Sequence, residues 1–239
     1  MVYVGLNGFG RIGKSIFLQL LNNKTLKIKA INVTKFDLEN LASYLENDST
    51  HYYKKDWILK IIDETTFSIN GETIHMFSER DAGQLNWKKY DNIEYVIDCT
   101  GAYLTQDACK KHNVEYVVMC APPKDNSPQF VVNVNEEKYN GENIVSNASC
   151  TTNCITPVLG FLEKKYKIEK ANFTTIHATT ASQNTIDTNH FNNRTSRSII
   201  NNIIPHSTGA SKSIKALIPS LDGKVKGTSL RVPVNNVSI

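Results

Sequence analysis

At 239 residues, 40% hydrophobic and 21% charged, the chain can build one large domain or two modest ones, and its composition is not that of a disordered protein. The formal net charge is only +4, with lysine pairs at Lys54-Lys55, Lys88-Lys89, Lys110-Lys111 and Lys164-Lys165 spread along the chain, which speaks for a solvated surface and against a nucleic-acid face. No apolar run approaches a membrane span, and the five cysteines (Cys99, Cys109, Cys120, Cys150, Cys154) have neither disulfide nor zinc-site spacing, so a reduced, cytoplasmic, metal-free protein is expected.

The first thirty residues read as strand, glycine turn, helix and strand. Val2-Tyr3-Val4-Gly5-Leu6 is apolar and β-rich, residues 12–21 have helical spacing, and Ile28-Lys29-Ala30-Ile31 is apolar again. That pattern is a βαβ unit with parallel strands and a right-handed crossover. Further strands are predicted at 58–62, 67–69, 94–99, 114–119 and 143–146, and helices at 38–45 and 105–112. Asn70-Gly71 between two alternating runs predicts a tight hairpin, hence a small antiparallel piece within the sheet. From Cys150 onward the texture changes. Residues 173–180 are β-branched, 184–198 are polar with little periodicity, and 221–233 predict a turn and strand, so a domain boundary falls near Ser149.

Asn7-Gly8-Phe9-Gly10-Arg11-Ile12-Gly13 carries G-x-G-x-x-G directly between the first strand and the first helix. Gly8 permits the tight turn, Gly10 lets the backbone approach a pyrophosphate, and Gly13 lets helix and strand pack closely. The helix N-terminus then offers free amides to the anion. The motif alone is weak, but at the head of a βαβ unit it points to a dinucleotide, with a packing-driven glycine turn as the competing reading. The usual partner is an acid ending the second strand, which binds the adenosine ribose hydroxyls. Here Ile31-Asn32 is followed by Val33, Thr34 and Lys35, while Asp37 and Glu39 fall in the next predicted helix. An acid would repel a 2′-phosphate, so its absence removes a barrier to NADP. Thr34 and Lys35 offer that phosphate a hydrogen bond and a charge, or are simply exposed loop.

Ser149-Cys150-Thr151-Thr152-Asn153-Cys154 places a thiol among hydroxyls and an amide, a setting that suits a nucleophile better than a buried structural cysteine. Free cysteine titrates near ~8.5, so ionisation needs help. One source is a helix N-terminus at Cys150, although Pro157 would kink that helix or start it later. The other is His177 in the predicted strand, with Thr179, Thr180 and Ser182 beside it as donors to phosphate oxygens. His190 and His206 are competing bases, and a strand histidine is often only structural.

The glycine turn, Ser146-Asn147-Ala148-Ser149-Cys150-Thr151-Thr152-Asn153-Cys154 and Ile204-Pro205-His206-Ser207-Thr208-Gly209-Ala210 together resemble the phosphorylating glyceraldehyde-3-phosphate dehydrogenase family, from Met1 to Ile239 without a large gap. The resemblance implies an α/β protein, with a Rossmann NAD(P)-binding domain at 1–148 and an α+β catalytic domain at 149–239. It implies that Cys150 attacks the aldehyde of glyceraldehyde 3-phosphate and that His177 takes the proton and lowers the thiol pKa. Hydride would pass to the nicotinamide, and inorganic phosphate would cleave the thioester to 1,3-bisphosphoglycerate. Thr180, Ser182 and Arg231 match the family's substrate-phosphate site, Ser182 standing where threonine is usual. Ser149, Thr151, Thr208, Gly209 and Arg194 match the site for attacking phosphate, where an arginine fork suits two oxygens at once. Asn7, Gly8, Gly10, Arg11, Ile12 and Gly13 match the pyrophosphate turn, Arg80 the adenine pocket, and Thr100 and Gly101 the nicotinamide-ribose strand end. A cytoplasmic homotetramer is implied, with the 184–198 loop reaching a neighbour's cofactor.

The departures sharpen the cofactor question. Val33 stands where the family has its ribose-binding aspartate, and Thr188 and Asn189 stand where NAD-specific bacterial-type members carry leucine and proline. NADP-using members have threonine at the place of Thr34, so NADP or dual use is expected. Family members also continue past Ile239 with further strands, a helix and a nicotinamide-orienting asparagine. That implies an incomplete scaffold, and raises the alternative of a non-catalytic dinucleotide-binding or interaction protein. A redox sensor at Cys150, with Cys154 as resolving thiol, is a third reading. Erythrose-4-phosphate oxidation ranks below the main activity, because Thr180 and its neighbours keep the glyceraldehyde-phosphate pattern.

Overall fold

Short aliphatic and β-branched runs alternate with helical segments through the first 148 residues, and they pair into one mixed sheet. The computed structural model describes residues 1–52, 56–189 and 194–239, so Lys54-Lys55 and His190 lie outside the described residues. Two units form, Met1–Phe130 with Glu137–Ala148, and Val131–Glu136 with Ser149–Ile239.

In the first unit the elements run β1 (Val2–Asn7), α1 (Arg11–Leu20), β2 (Leu26–Asn32), α2 (Leu41–Glu46), β3 (Leu59–Asp63), β4 (Thr66–Ile69), β5 (Glu72–Phe77), β6 (Tyr95–Asp98), α3 (Gln106–Cys109), β7 (Tyr116–Met119) and β8 (Ile144–Ser146). The sheet order is β3-β4-β5-β2-β1-β6-β7-β8. β1 pairs in parallel with both β2 and β6, and β5, β7 and β8 extend the parallel set. β4 pairs antiparallel with β3 on one side and β5 on the other, the second pairing closed by the hairpin at Asn70-Gly71. Both hairpin residues have positive φ (51° and 83°), the backbone that Asn-Gly adopts at least cost.

The predicted helix at 38–45 divides into a 3-10 turn at Leu38–Asn40 and then α2, because Asp37 caps the turn by accepting from the Glu39 N–H. The one at 105–112 divides likewise, with Thr105 capping α3 and Asn113 ending the following 3-10 turn at φ 52°. α1, at ten residues, is too short to persist alone and is held by packing. Its Phe17 is 1% exposed and meets Phe9 and Phe67 edge-on at 5.4 and 6.2 Å. Leu6, Ile31, Leu41, Leu45 and Ile74 complete that core.

The second unit runs α4 (Cys150–Tyr166), β9 (Ala171–His177), β10 (Ile204–His206), α5 (Ala210–Leu217) and β11 (Val225–Arg231). Its sheet order is β10-β11-β9, with β9 and β11 parallel. Leu159 of α4, Ile214 of α5, Leu221 and Val225 form the core beneath it. α4 begins at Cys150 and continues through Pro157, so the proline does not delay its start. β10 and α5 were not anticipated: β10 is only three residues long, and the apolar stripe of α5 is interrupted by Ser213. Among the described residues no helix is long and apolar enough to cross a membrane, and no group of three His, Cys, Asp or Glu could hold a metal ion.

Candidate active site

α4 starts where it does because Ser149 caps it. The Ser149 backbone is extended (φ −103°, ψ 163°), and its Oγ accepts from the Thr152 N–H at 3.1 Å while meeting the Thr152 hydroxyl at 2.7 Å. Ala148 turns the chain into this cap at φ 53°. Cys150 is therefore the first helical residue, exposed, within the positive end of the helix dipole. Thr151 lies beside it in the first turn, and Cys154 is exposed one turn further on.

Sheet register brings an imidazole to this thiol. β9 and β11 run in parallel and pair His177 with Arg231 as their last residues, although 54 positions separate the two in sequence. His177 Nε2 lies 3.4 Å from Cys150 Sγ. Its Nδ1 lies 2.7 Å from the Ala178 carbonyl and 2.7 Å from Arg231 Nη1. A carbonyl only accepts and a guanidinium only donates, so Nδ1 satisfies one partner at a time. With Nδ1 donating to Ala178, the Nε2 lone pair faces the thiol; with Nδ1 accepting from Arg231, Nε2 carries the proton instead. Burial, with the nearby Arg231 charge adding to it, outweighs the Ala178 bond and holds His177 below the ordinary imidazole value. His206 is partly exposed and its Nδ1 faces the Ser207 carbonyl at 2.7 Å, so its bonding is local.

Arg231 links the base to a hydroxyl cluster. Its Nη1 also donates to the Ala178 carbonyl (3.2 Å) and Thr180 Oγ1 (3.4 Å), and its buried Nε has no partner among the described residues. Thr180 Oγ1 lies 3.0 Å from Ser182 Oγ. Gln183, which sequence reasoning passed over, orders both: its Oε1 accepts from the Thr180 N–H and hydroxyl at 2.9 Å each, and its Nε2 donates to Ser182 at 3.0 Å. Nothing in the local sequence marks it. Thr180, Ser182 and Arg231 are thus brought together. Thr208 and Gly209 stand at the head of α5, where Thr208 Oγ1 accepts from Ala210 N–H and the Gly209 carbonyl accepts from Lys212 N–H. Arg194 opens the turn at 194–196, its carbonyl accepting from Arg197 N–H at 3.2 Å.

In the first unit, the glycine turn joins β1 to α1 as its sequence requires. Gly8 takes φ 95°, and a Cβ there would stand 3.0 Å from the Thr100 nitrogen. A Cβ on Gly13 would strike the Gly8 carbonyl oxygen, whereas one on Gly10 would meet no atom of the described residues within 4 Å apart from its chain neighbours. The space over Gly10, in front of the α1 N-terminus, is open, as a pyrophosphate cradle requires. Arg11 and Ile12 are exposed beside it, and Thr34, Arg80, Thr100 and Gly101 are exposed as well. Val33 instead packs partly buried against the sheet core.

A buried polar chain under this turn was also missed from sequence. Asn32 bonds Asn7 (2.7 Å), and Asn7 bonds Asp98 (2.7 Å). Asp98 further accepts from the Thr100 N–H and hydroxyl and faces His112 Nε2 at 3.2 Å. Four partners fill a carboxylate's lone-pair sites, which is how Asp98 tolerates 2% exposure and fixes the strand end at Thr100.

The two glycines separate folding from binding. Gly13→Ala is expected to cost about 1–3 kcal/mol through the backbone clash, read as a lower denaturation midpoint. Gly10→Ala should stay within about 1 kcal/mol of the parent yet lose at least about tenfold in NAD affinity, because its methyl fills only the cradle.

Residues 2–106 match the family described as glyceraldehyde 3-phosphate dehydrogenase, NAD binding domain, and residues 149–239 match its C-terminal domain. Among similar proteins, the cytosolic glyceraldehyde-3-phosphate dehydrogenase of Leishmania mexicana is 43% identical over 243 residues, covering 100% of this chain and 72% of that one. The enzyme of that name from Bacteroides fragilis is 39% identical over 244 residues with the same coverage. Glyceraldehyde-3-phosphate dehydrogenase A of Escherichia coli K12 is 40% identical over 242 residues, covering 100% and 72%.

Proposed function

This chain belongs to the glyceraldehyde-3-phosphate dehydrogenase family, and on that premise we propose that it oxidises glyceraldehyde 3-phosphate with NAD(P) and inorganic phosphate to 1,3-bisphosphoglycerate. The observation that carries this reading is the Cys150 Sγ to His177 Nε2 approach of 3.4 Å beside the Arg231, Thr180 and Ser182 cluster. Domains at 1–148 and 149–239 serve cofactor and catalysis respectively.

Cys150 attacks the aldehyde carbon as its thiol proton moves to His177 Nε2, and His177 passes that proton to the former carbonyl oxygen, giving the thiohemiacetal and a neutral imidazole. NAD(P), when bound, would supply the hydride acceptor for that carbon. His177 receives the hydroxyl proton as the thioester forms, and inorganic phosphate then displaces Cys150 to give the acyl phosphate. Arg231, Thr180 and Ser182 hold the substrate phosphate; Ser149, Thr151, Thr208, Gly209 and Arg194 hold the attacking one. When the substrate phosphate draws the Arg231 guanidinium, Ala178 remains as the Nδ1 partner, and His177 keeps its base tautomer. Asn7, Gly8, Gly10, Arg11, Ile12 and Gly13 hold the pyrophosphate, Arg80 the adenine, and Thr100 and Gly101 the nicotinamide side. The protein works in the cytoplasm as a homotetramer.

Val33, which packs partly buried against the core and offers the ribose no carboxylate, supports a reading of NADP or dual use, as do Thr34 and Lys35 exposed beside it. Val33→Asp is expected to raise the NAD over NADP affinity ratio by at least about tenfold, measured by paired titrations. If the unchanged protein binds NAD tenfold more tightly than NADP, the NADP reading is abandoned. The overall activity is tested by following NAD(P) reduction with glyceraldehyde 3-phosphate, with and without phosphate. Cofactor binding without turnover would favour a non-catalytic dinucleotide-binding protein.

A further inference from the structure

We propose that Gln183 is a positioning residue of the substrate-phosphate pocket, and that by engaging Thr180 it makes Ser182 the hydroxyl that turns to the phosphate. The inference rests on the substrate-phosphate reading of Arg231, Thr180 and Ser182. Residues 180–183 form one closed turn, in which the Gln183 N–H donates to the Thr180 carbonyl at 3.0 Å. The Gln183 side chain folds back over the same turn and is buried. Its amide fits only one way round. The Thr180 N–H is a pure donor and lies 2.9 Å from one amide terminus, which must therefore be the oxygen. Nε2 is thereby turned toward Ser182 Oγ, at 3.0 Å.

The directions of the remaining bonds follow. Thr180 has one hydroxyl proton and gives it to Gln183 Oε1 at 2.9 Å, because an amide oxygen only accepts. In the 3.0 Å contact between the two hydroxyls, Ser182 is then the donor. With Arg231 Nη1 donating at 3.4 Å as well, both lone pairs of Thr180 Oγ1 are occupied. Thr180 is thus the hub of the pocket, and its part in holding the phosphate is to orient Ser182 and Arg231.

Ser182 is the hydroxyl free to change partner. Its oxygen is held by Gln183 Nε2, while its proton moves by rotation about the Cβ–Oγ bond alone, on an exposed residue. An anionic phosphate oxygen is a stronger acceptor than the Thr180 hydroxyl, so the proton swings to the phosphate when substrate arrives. The bond that Nε2 donates to the same oxygen polarises the Ser182 O–H and strengthens the one it gives.

Glycerol 3-phosphate carries a phosphate and no aldehyde, so its binding, read by calorimetric titration against glycerol, reports the pocket without turnover. Gln183→Met and Ser182→Ala should each weaken it by about tenfold, as loss of one hydrogen bond to a charged group does. The double variant should lose little more than Ser182→Ala alone, because Gln183 acts through Ser182. In turnover, the ratio of kcat/KM for glyceraldehyde 3-phosphate to that for glyceraldehyde should fall by about tenfold in Gln183→Met. A residue that only supports the fold would lower both and leave the ratio as it was. Gln183→Glu keeps both Thr180 bonds on one oxygen, should the methionine variant not fold. Its second oxygen takes the Ser182 proton, so glycerol 3-phosphate binding should again fall by at least about tenfold. Losses that add in the double variant, or an unchanged ratio, would overturn the proposal. A parent that binds glycerol 3-phosphate yet oxidises no aldehyde would sink the proposed activity, while the titrations would still decide the role of Gln183. A parent that binds glycerol 3-phosphate no more tightly than glycerol would overturn that role together with the pocket.

Discussion

Cys150→Ser is expected to lower phosphate-dependent aldehyde oxidation by at least about 10³-fold, roughly 4 kcal/mol of barrier, with NAD affinity and stability unchanged. The size follows from the nucleophile. A serine hydroxyl at the same place ionises far less readily than a thiol, and neither the helix N-terminus nor a neutral imidazole closes that gap. The selectivity follows from location. Cys150 is exposed at the first position of α4, so replacing sulfur by oxygen leaves no cavity in a core. The cap depends on Ser149 and Thr152, which the substitution does not touch. Steady-state rates, a denaturation curve and an NAD titration on the same preparation separate these effects. Retention of more than a tenth of the parent rate would remove Cys150 from its role. A parallel loss of stability would mean instead that the residue is structural.

The parts of this arrangement that depend on local sequence could be read before the structure was known. The glycine turn, the Asn70-Gly71 hairpin and the parallel strands each follow from a few adjacent residues with few conformational choices. Ser149 as a cap and Cys150 as the first helical residue are similarly local, and α4 runs on through Pro157. Arg231 beside His177 is different. Their contact is set by the parallel register of β9 and β11, which no short window encodes, so Arg231 was reached only through family resemblance. Gln183 and Asp98 illustrate the same limit. Each is an unremarkable polar residue in sequence, and each gains its role from partners that the fold brings to it. α5 escaped notice because Ser213 interrupts its buried face, where a polar residue is read as surface.

The second large effect is expected at His177, where the pH dependence distinguishes a base from a structural residue. His177→Asn should lower turnover by about 10²–10⁴-fold, the usual range for loss of a positioned base. Burial, with Arg231 adding to it, holds the imidazole below its ordinary value of about 6.5, so it is neutral at pH 7 and able to accept the thiol proton. As pH falls through the lowered value the ring is charged and the base is lost. The acid limb of kcat/KM should therefore lie below about 6.5 in the parent and be absent from the asparagine variant. Iodoacetamide labelling of Cys150 reports the same partnership without turnover. The labelling rate at neutral pH should fall once the imidazole is gone. Stability carries the same sign. Below about 6.5 the unfolded chain binds a proton that the folded His177 resists, so stability falls with pH between that value and the lowered one. Asparagine removes that contribution, flattening this part of the stability profile. An asparagine variant that keeps the parent's labelling rate and acid limb would show that the Cys150 proton goes elsewhere, and His206 would then be the base to test.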